Sequence, residues 1–423
     1  MKTLGRFWWV GALLVALVVF LVQRSGVQAA GGPPETASGS YRVLAPIESG
    51  NLLLFPVVRA SGKSPGEVPF LTLDEGIKNG QVEVTEAGRV QGLVRPRGSE
   101  SAPHPLFDGP FRLNPQPEVH RYRGGDQVNT LVLVNNSGKP LLLLAGEIVT
   151  GGKQDRVIAK DRIVPAGGDP VDLSVFCIEP GRWTENSTIF GAAAKALSRS
   201  FMVQPTVREQ AMVAKDQQQV WNSVRLTVSQ MQVAAAPVAG GPMIAAPGGA
   251  TGSIRGNSTS YAKAMEDSQV SAKVDEAAAP VMKSREQVLN RLREEHAIGV
   301  VVAVRGEIVW ADLFASTDLL ARYWTKLVRS YAAESLTVGE TRAAPTVADA
   351  QHFLDTPAGG TETSEGDVGV YRYRELKSGG TETFVLESLL PGTGYDVHIS
   401  KLRLRAAEYP VKPPQPFSPP IYR

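Results

Sequence analysis

Short apolar runs bounded by glycines and polar turns mark strands along the first half of the chain. Leu52 to Val58 and Val128 to Val134 are two such runs. The segment from Asn135 to Gly138 has turn chemistry, and apolar sequence resumes at Leu141, which predicts a hairpin. Val171 to Ile178 is apolar on both faces, so we expect a strand that is covered on both sides.

Apolar residues at three- and four-residue steps predict amphipathic helices over Val207 to Met231 and over Asp318 to Glu334. A much shorter helix is predicted after Thr72, because Thr72 and Glu75 have the spacing of a capping box and Asn79-Gly80 supplies a stop. The predicted fold class is therefore α+β, with a sheet-rich core and packed amphipathic helices.

Strand patterns return in the last third of the chain. Their order predicts a hairpin through Arg305-Gly306 and then a C-terminal group of strands. That group forms either a small β-module or an extension of the main sheet. The predicted strands are 298–304, 307–311, 368–376, 383–389 and 399–405.

The N-terminus carries an export signature. Lys2 and Arg6 precede an apolar run over 7–22, and Val27-Gln28-Ala29 offers small residues to a signal peptidase. We expect cleavage and a periplasmic or secreted protein. The alternative is an uncleaved segment that anchors the protein in the inner membrane, although the run is at the short end for a membrane span.

These patterns divide the chain into five parts, with a segment at 233–259 that is rich in Ala, Gly and Pro. Such a segment either separates two domains or is a flexible insertion within one. The predicted parts are a signal peptide or anchor at 1–29, a tether at 30–40, a main α+β domain at 41–345, a β-rich module at 346–408 and a Pro-rich tail at 409–423.

Charge and cysteine content narrow the function classes. The formal net charge is +2, and the chain without Lys2, Arg6 and Arg24 has 41 basic against 42 acidic residues, which gives no basic footprint for nucleic acid. The single cysteine, Cys177, excludes an internal disulfide. No zinc spacing, Walker loop, dinucleotide fingerprint or G-x-S-x-G elbow occurs, so we predict no metal and no cofactor.

Candidate chemistry is concentrated between Leu141 and Trp183. Glu147 and Glu179 are the candidate catalytic carboxylates if their strands are neighbours, because basic residues surround both in sequence. Equally, the same charges can form a buried ion network. Paired glycines let backbone amides approach an anion that nearby cations neutralise. The candidate ligand-binding residues are Gly151, Gly152, Lys153, Gln154, Arg156, Arg162, Arg182 and Trp183.

Cys177 has a different expectation. It lies within an apolar run between Phe176 and Ile178. A cysteine in such surroundings is typically a small core residue and not a nucleophile.

The order G-E-x-x-x-G-G-K-Q-D-R, then D-R-x-V, then C-x-E-x-G-R-W resembles the bacterial family of the ARG and rhodanese-phosphatase-superfamily-associated protein domain. The resemblance spans roughly 41 to 340, on both sides of the 233–259 segment, which favours one domain with an inserted loop. It places the family's characteristic positions at Glu147, Gly151, Gly152, Lys153, Gln154, Arg156, Cys177, Glu179, Gly181, Arg182 and Trp183.

The family name records association with ADP-ribosylglycohydrolases and phosphatase-like proteins and describes no activity. We expect the exported N-terminus and the strands after about Thr346 to be departures from the family.

The sequence favours an exported ligand-binding or interaction module, with a small anionic molecule or a protein as partner and membrane attachment through 7–22 as an option. The alternative is an enzyme that acts on a phosphate- or ADP-ribose-like ligand. A structural envelope protein is a third hypothesis. Geometry discriminates among them: an open cleft around Glu147, Gln154, Arg156 and Glu179 favours binding or catalysis, and satisfied buried salt bridges favour a structural role.

Overall fold

A long antiparallel sheet and a closed barrel organise the molecule, as shown by a computed structural model. The structure describes residues 40–60, 69–86, 130–152, 154–167, 170–180, 189–192, 201–236, 259–283, 285–337, 339–357 and 360–404. The predicted signal segment and Pro-rich tail lie outside these ranges, as do the tether up to residue 39 and most of the predicted insertion.

Within the described ranges the strands are β1 Tyr41–Val43, β2 Ile47–Ser49, β3 Leu52–Arg59, β4 Leu71–Thr72, β5 Val82–Glu86, β6 Thr130–Asn135, β7 Leu141–Leu143, β8 Ile148–Thr150, β9 Arg156–Ile158, β10 Arg162–Val164, β11 Val171–Cys177, β12 Ile189–Ala192, β13 Ala297–Val304, β14 Glu307–Phe314, β15 Thr361–Asp367, β16 Tyr371–Ser378, β17 Thr381–Ser388 and β18 Asp396–Arg403. The helices are α1 Leu73–Lys78, α2 Pro205–Glu209, α3 Gln217–Ala235, α4 Tyr261–Glu266, α5 Ser268–Lys283, α6 Arg285–Glu294, α7 Thr317–Ser335 and α8 Val347–Asp355.

The main sheet has the order β1-β3-β13-β14-β18-β17-β16-β15, with β2 also paired to β3, and every pairing is antiparallel. Strand β13 is buried along its whole length. Val300 and Val302 face the core shared with α7, whereas Val301 and Ala303 face the core shared with α8. Because both faces of β13 are covered, its sequence is apolar without a break, whereas a strand with one face in solvent would alternate apolar and polar residues.

The C-terminal strands continue this sheet. Strand β18 pairs with β14 from Trp310 opposite Leu402 to Phe314 opposite His398, and β15 to β18 follow one another as a meander. The fold class is α+β, as predicted.

A closed barrel is formed by β11-β6-β5-β12-β8-β9, next to a small sheet of β10-β7-β4. The hairpin predicted through Asn135 to Gly138 was wrong, because β6 pairs within the barrel and β7 pairs within the small sheet. Apolar side chains from the barrel strands and the small sheet form their own core. The small sheet places Leu142 in the larger core that also contains α7 residues. The barrel therefore packs close to the helices of the main sheet.

Two sequence predictions about helices are confirmed in detail. Helix α1 starts at a capping box, in which Thr72 and Glu75 satisfy each other's backbone amides, and it ends at Asn79. Helix α7 was expected over 318–334 and spans Thr317–Ser335, with Ser316 as its N-cap.

The prediction of one helix over Val207 to Met231 was wrong. Helix α2 passes into a π-helical turn over Gln210–Ala214, and Lys215 then adopts a left-handed conformation with φ 53°. Asp216 caps the new helix α3 by accepting a hydrogen bond from the Gln219 amide at 2.9 Å. Residues on both sides of the break enter the same core, so the apolar spacing did not reveal it.

No helix in the described ranges is long and apolar enough to cross a membrane. The apolar segment 7–22 is not among those residues.

Candidate functional site

The turn between β8 and β9 depends on two glycines. Gly151 has φ 126° and Gly152 has φ 52°, values that side-chain-bearing residues seldom adopt. The Gly151 amide donates to Asp155 Oδ1 at 3.2 Å. The amide predicted to approach an anion therefore stabilises the turn itself.

Beyond the turn, polar groups from three parts of the chain meet. Gln154 Nε2 donates to the Glu179 carbonyl at 3.2 Å, and the Asp155 amide donates to Glu179 Oε2 at 3.3 Å. Ser260, the N-cap of α4, donates through Oγ to Asp155 Oδ2 at 3.1 Å. We call Gln154, Asp155, Arg156, Glu179, Ser260 and Lys263 the polar cluster.

Arg156 is the buried cation of the polar cluster and is 0% exposed. One guanidinium nitrogen donates to the Gln154 carbonyl at 2.7 Å, and another lies 3.9 Å from Glu86 Oε1. Burial lowers the pKa of the Arg156 guanidinium, while neighbouring acidic groups oppose that shift. Arginine keeps its charge across physiological pH, so Arg156 is a fixed positive charge within the cluster.

Lys263 connects the cluster with solvent. Its side chain is half exposed, and Nζ lies 3.5 Å from Glu179 Oε1, whose side chain is 2% exposed. The position of Lys263 follows from the seating of α4, since the Tyr261 amide donates to the Ile178 carbonyl at 3.2 Å. The sequence prediction missed Ser260 and Lys263, because the 233–259 segment separates them from the motif.

Cys177 is fully buried beside the cluster, as expected for a core residue. The Gln217 side chain clamps its backbone: the Cys177 amide donates to Gln217 Oε1 at 2.9 Å, and Gln217 Nε2 donates to the Cys177 carbonyl at 2.8 Å. Burial raises the pKa of the thiol, so Cys177 stays protonated at neutral pH and is a poor nucleophile.

Glu147 does not join the polar cluster. Its carboxylate is fully buried and pairs with Lys326 of α7, which also lies 2.8 Å from Asp74. The Leu144 amide donates to Glu147 Oε2 at 2.8 Å. Burial raises the pKa of Glu147 and the Lys326 ammonium opposes this. The pairing makes Glu147 a brace between the barrel and α7.

Arg162 also lies elsewhere. It donates to the Asp172 carbonyl and, at 3.0 Å, to Asp367 of β15. The expectation of one group around Glu147, Glu179, Arg156 and Arg162 is thus corrected. The backbone of Glu147 still adjoins the β8–β9 pair, because the Ile158 amide donates to the Glu147 carbonyl at 2.9 Å. Its side chain, however, points towards Lys326 of α7 and away from the polar cluster. Lys153, Arg182 and Trp183 are outside the described residues.

A second buried network, which we call the histidine network, surrounds His398 and was not predicted from the sequence. His398 lies between two carboxylates, with Nδ1 2.6 Å from Asp161 Oδ2 and Nε2 3.2 Å from Asp312 Oδ1. All three side chains are fully buried. The two carboxylates outweigh burial and raise the pKa of His398 to about 9, so the ring is charged at neutral pH.

The remaining partners of Asp312 complete this network. Arg208 donates to Asp312 Oδ2 at 2.8 Å, and the Tyr331 hydroxyl donates to the same oxygen at 2.5 Å. Ser400 Oγ donates to Asp312 Oδ1 at 2.9 Å. Despite burial, the pKa of Asp312 stays far below its usual range because Arg208 and His398 adjoin it. Asp312 lies on β14, its partners lie on β18, α2 and α7, and Asp161 comes from the barrel region. Because these elements are far apart in the chain, sequence spacing could not predict the network.

These features define the class of protein: an α+β domain in which a closed barrel and an antiparallel sheet are joined by buried ion networks. The chain belongs to the ARG and Rhodanese-Phosphatase-superfamily-associated Protein domain family, whose model matches residues 40–402. No curated protein and no solved structure matches the chain.

The family match extends beyond the expected limit near 340. Strands β15 to β17 and nearly all of β18 lie inside it. The expectation that the strands after about Thr346 depart from the family was therefore wrong. Their inclusion has a physical reason, since His398 and Ser400 of β18 complete the histidine network.

Proposed function

We propose that this protein is an exported ligand-binding module and that the polar cluster is its binding site. The convergence of Gln154, Asp155, Glu179 and Ser260 supports this proposal, because three distant segments supply donors and acceptors at one place. The rigid barrel fixes the first three, and α4 brings the fourth. These side chains are buried and bonded to one another, as those of a structural network would be. What favours a site is Lys263, because it links the buried Glu179 carboxylate with solvent.

The ligand class follows from the charges. Lys263 is half exposed at the edge of the cluster, and Lys153 and Arg182 lie one and three residues from Gln154 and Glu179 in sequence. We propose that these cations attract an anionic group on the ligand. The buried Glu179 carboxylate, 3.5 Å from Lys263, then holds this lysine in place for the anionic group.

An enzyme acting on a phosphate- or ADP-ribose-like ligand is the second candidate. The position of Glu179 favours it, because this buried carboxyl lies 3.5 Å from a cation that reaches solvent, as an acid or base beside an anionic substrate would. Glu147 is not part of this proposal, since Lys326 holds it in the interior. Turnover of a panel compound that Glu179→Gln abolishes would distinguish catalysis from binding.

The binding test is thermal unfolding of the full chain with ADP-ribose, nucleotides, sugar phosphates and divalent metals. A ligand at 100 times its Kd stabilises the folded state by about 2.7 kcal/mol. We expect one compound to raise the Tm of the parent and of Lys273→Ala but not of Lys263→Ala. Lys273 is the matched control, since it is similarly exposed and pairs with Glu276.

Two results would contradict the binding proposal. One is a flat response of the parent across the panel. The other is an equal Tm shift in Lys263→Ala and Lys273→Ala, because binding would then occur away from the polar cluster.

Export is the other part of the proposal, and it rests on Lys2, Arg6 and the apolar run over 7–22. We expect the intact mass of the protein from a periplasmic fraction to correspond to residues 30–423. The full-length mass in the membrane fraction would support the anchored alternative. Recovery of the full-length chain in the cytoplasmic fraction would contradict both.

A further inference from the structure

One end of the main sheet is open. Strand β15 pairs with β16 along all seven residues without a register shift. Residues 361 to 366 of this strand are exposed, and Asp367 is half-buried. Within the part of the chain that the structure describes, no hydrogen bond covers the outer backbone groups of 361–366. An edge of this kind can pair with another strand.

The opposite end of the sheet is closed by contrast. Strand β1 has only three residues, and helix α8 lies against it. Gln351 of α8 accepts from the Val43 amide at 2.8 Å and donates to the Tyr41 carbonyl at 3.0 Å. A side chain thus occupies the backbone groups with which a further strand would pair. The fold protects one edge and leaves the other available.

The sequence of β15, T-E-T-S-E-G-D, has only part of the usual protection of an edge, namely its three carboxylates. It contains no proline and no lysine, the residues that commonly block pairing. Two of its three carboxylates are neutralised from within the molecule, because Glu365 lies 2.8 Å from Lys160 and Asp367 lies 3.0 Å from Arg162. Their charge therefore opposes the approach of a second strand only weakly.

We propose that β15 pairs with β15 of a second copy of this chain, antiparallel and centred on Ser364. In this register Thr363 lies opposite Glu365, Thr361 opposite Asp367, and Glu362 opposite Gly366. Each carboxylate meets a hydroxyl or a glycine, and no two like charges are directly opposed. A register centred on Glu365 would oppose two carboxylates. The sequence is thus complementary to itself in the Ser364 register.

The exposure of Val368, next to β15, supports the proposal that this edge of the sheet is an interface. Val368 at the hairpin tip is 92% exposed, the most exposed large apolar side chain in the described ranges. In the proposed register it lies opposite Gly360 of the second copy, so pairing would cover part of its surface. The two molecules would be related by a twofold axis, as in most homodimers, and their sheets would join into one.

The contact is short, which sets its strength. Seven residues a side bury less than the ~1,200 Å² of a standard interface. We therefore expect reversible association with a Kd on the order of micromolar or weaker, and a monomer at high dilution.

Disulfide trapping tests both the pairing and its register. Ser364→Cys places two thiols opposite each other at the twofold axis, within the ~4.4–6.8 Å that a disulfide requires between Cα atoms. Glu362→Cys is the matched control, because its thiols would be about 13 Å apart, four residues along the strand. The native Cys177 is buried and contributes little background.

The full chain is oxidised at increasing concentration and separated on a non-reducing gel, after equal reactivity of the two new thiols with a maleimide has been verified. We expect Ser364→Cys to form a covalent dimer at least tenfold faster than Glu362→Cys. Adding Thr363→Glu, which opposes a carboxylate to Glu365, should slow this severalfold. Equal rates for the two cysteines, or no Ser364→Cys dimer at high concentration, would overturn the proposal, as would crosslinking only to a different protein.

Discussion

At the scale of single residues, two buried ion pairs connect different parts of the interior of this protein. Glu147 and Lys326 connect the barrel with α7, and Asp161 and His398 connect the barrel region with β18. A buried ion pair contributes little net stability when it is complete, but loss of one partner leaves an isolated charge in a medium that solvates it poorly. Removal of single partners is therefore the informative experiment.

Glu147→Ala should reduce the free energy of unfolding by about 3 to 5 kcal/mol, because Lys326 would lose its fully buried partner. Asp74→Ala removes the outer, part-exposed partner of the same lysine and should cost about 1 kcal/mol or less. Urea unfolding of the two variants measures the difference. Equal and small effects would show that Glu147 is not a brace.

At the scale of elements, regular patterns predicted what local sequence controls. The capping box at Thr72, helix α7 and strand β13 all followed from spacing and turn residues. The break at Lys215 did not, because apolar residues before and after it face one core. The D-x-x-Q spacing of Asp216 and Gln219 was the available signal, since it has the form of a helix start.

Asp216→Ala should therefore cost about 1 kcal/mol, the usual effect of losing an N-cap. Asp318→Ala is the control: Asp318 lies in the first turn of α7, where Ser316 is the cap, so its removal should cost about 0.5 kcal/mol or less. Thermal unfolding of both variants provides the comparison. A larger loss from Asp318→Ala would argue against the capping role of Asp216.

The candidate site was partly predictable at the same scale. The motif placed Gln154 and Glu179 together because β9 and β11 are neighbours. It could not place Glu147, whose partner Lys326 is 179 residues away. His398 and Asp161 are 237 residues apart, and only the sheet order shows why they meet.

At the scale of the whole molecule, the histidine network links stability with pH. The pKa of His398 is raised to about 9 in the folded state, against about 6.5 in an unfolded chain. The folded protein thus holds this proton more tightly. The stabilisation is complete below pH 6.5 and is lost as pH rises through about 9.

We predict a loss of about 2 kcal/mol from this group between pH 6.5 and 8, since one pKa unit corresponds to about 1.4 kcal/mol. Above pH 8 Lys401 acts in the opposite direction, because burial lowers its pKa to about 8. Urea unfolding against pH measures the slope, and NMR titration of the His398 ring measures the pKa directly. A ring that titrates near 6.5 would refute the charged network.

The pairing of β3 with β13 also has a consequence during synthesis. Phe55 is opposite Val301 in the finished sheet, and roughly 240 residues separate the two strands in the chain. At about 5–20 residues per second, the ribosome needs about 10–50 seconds to supply the partner strand. Strands β1 and β2 can pair with one edge of β3 at once, but the edge that belongs to β13 stays open to aggregation throughout that interval. The chain therefore has to keep this edge of β3 from pairing with other chains until β13 is available.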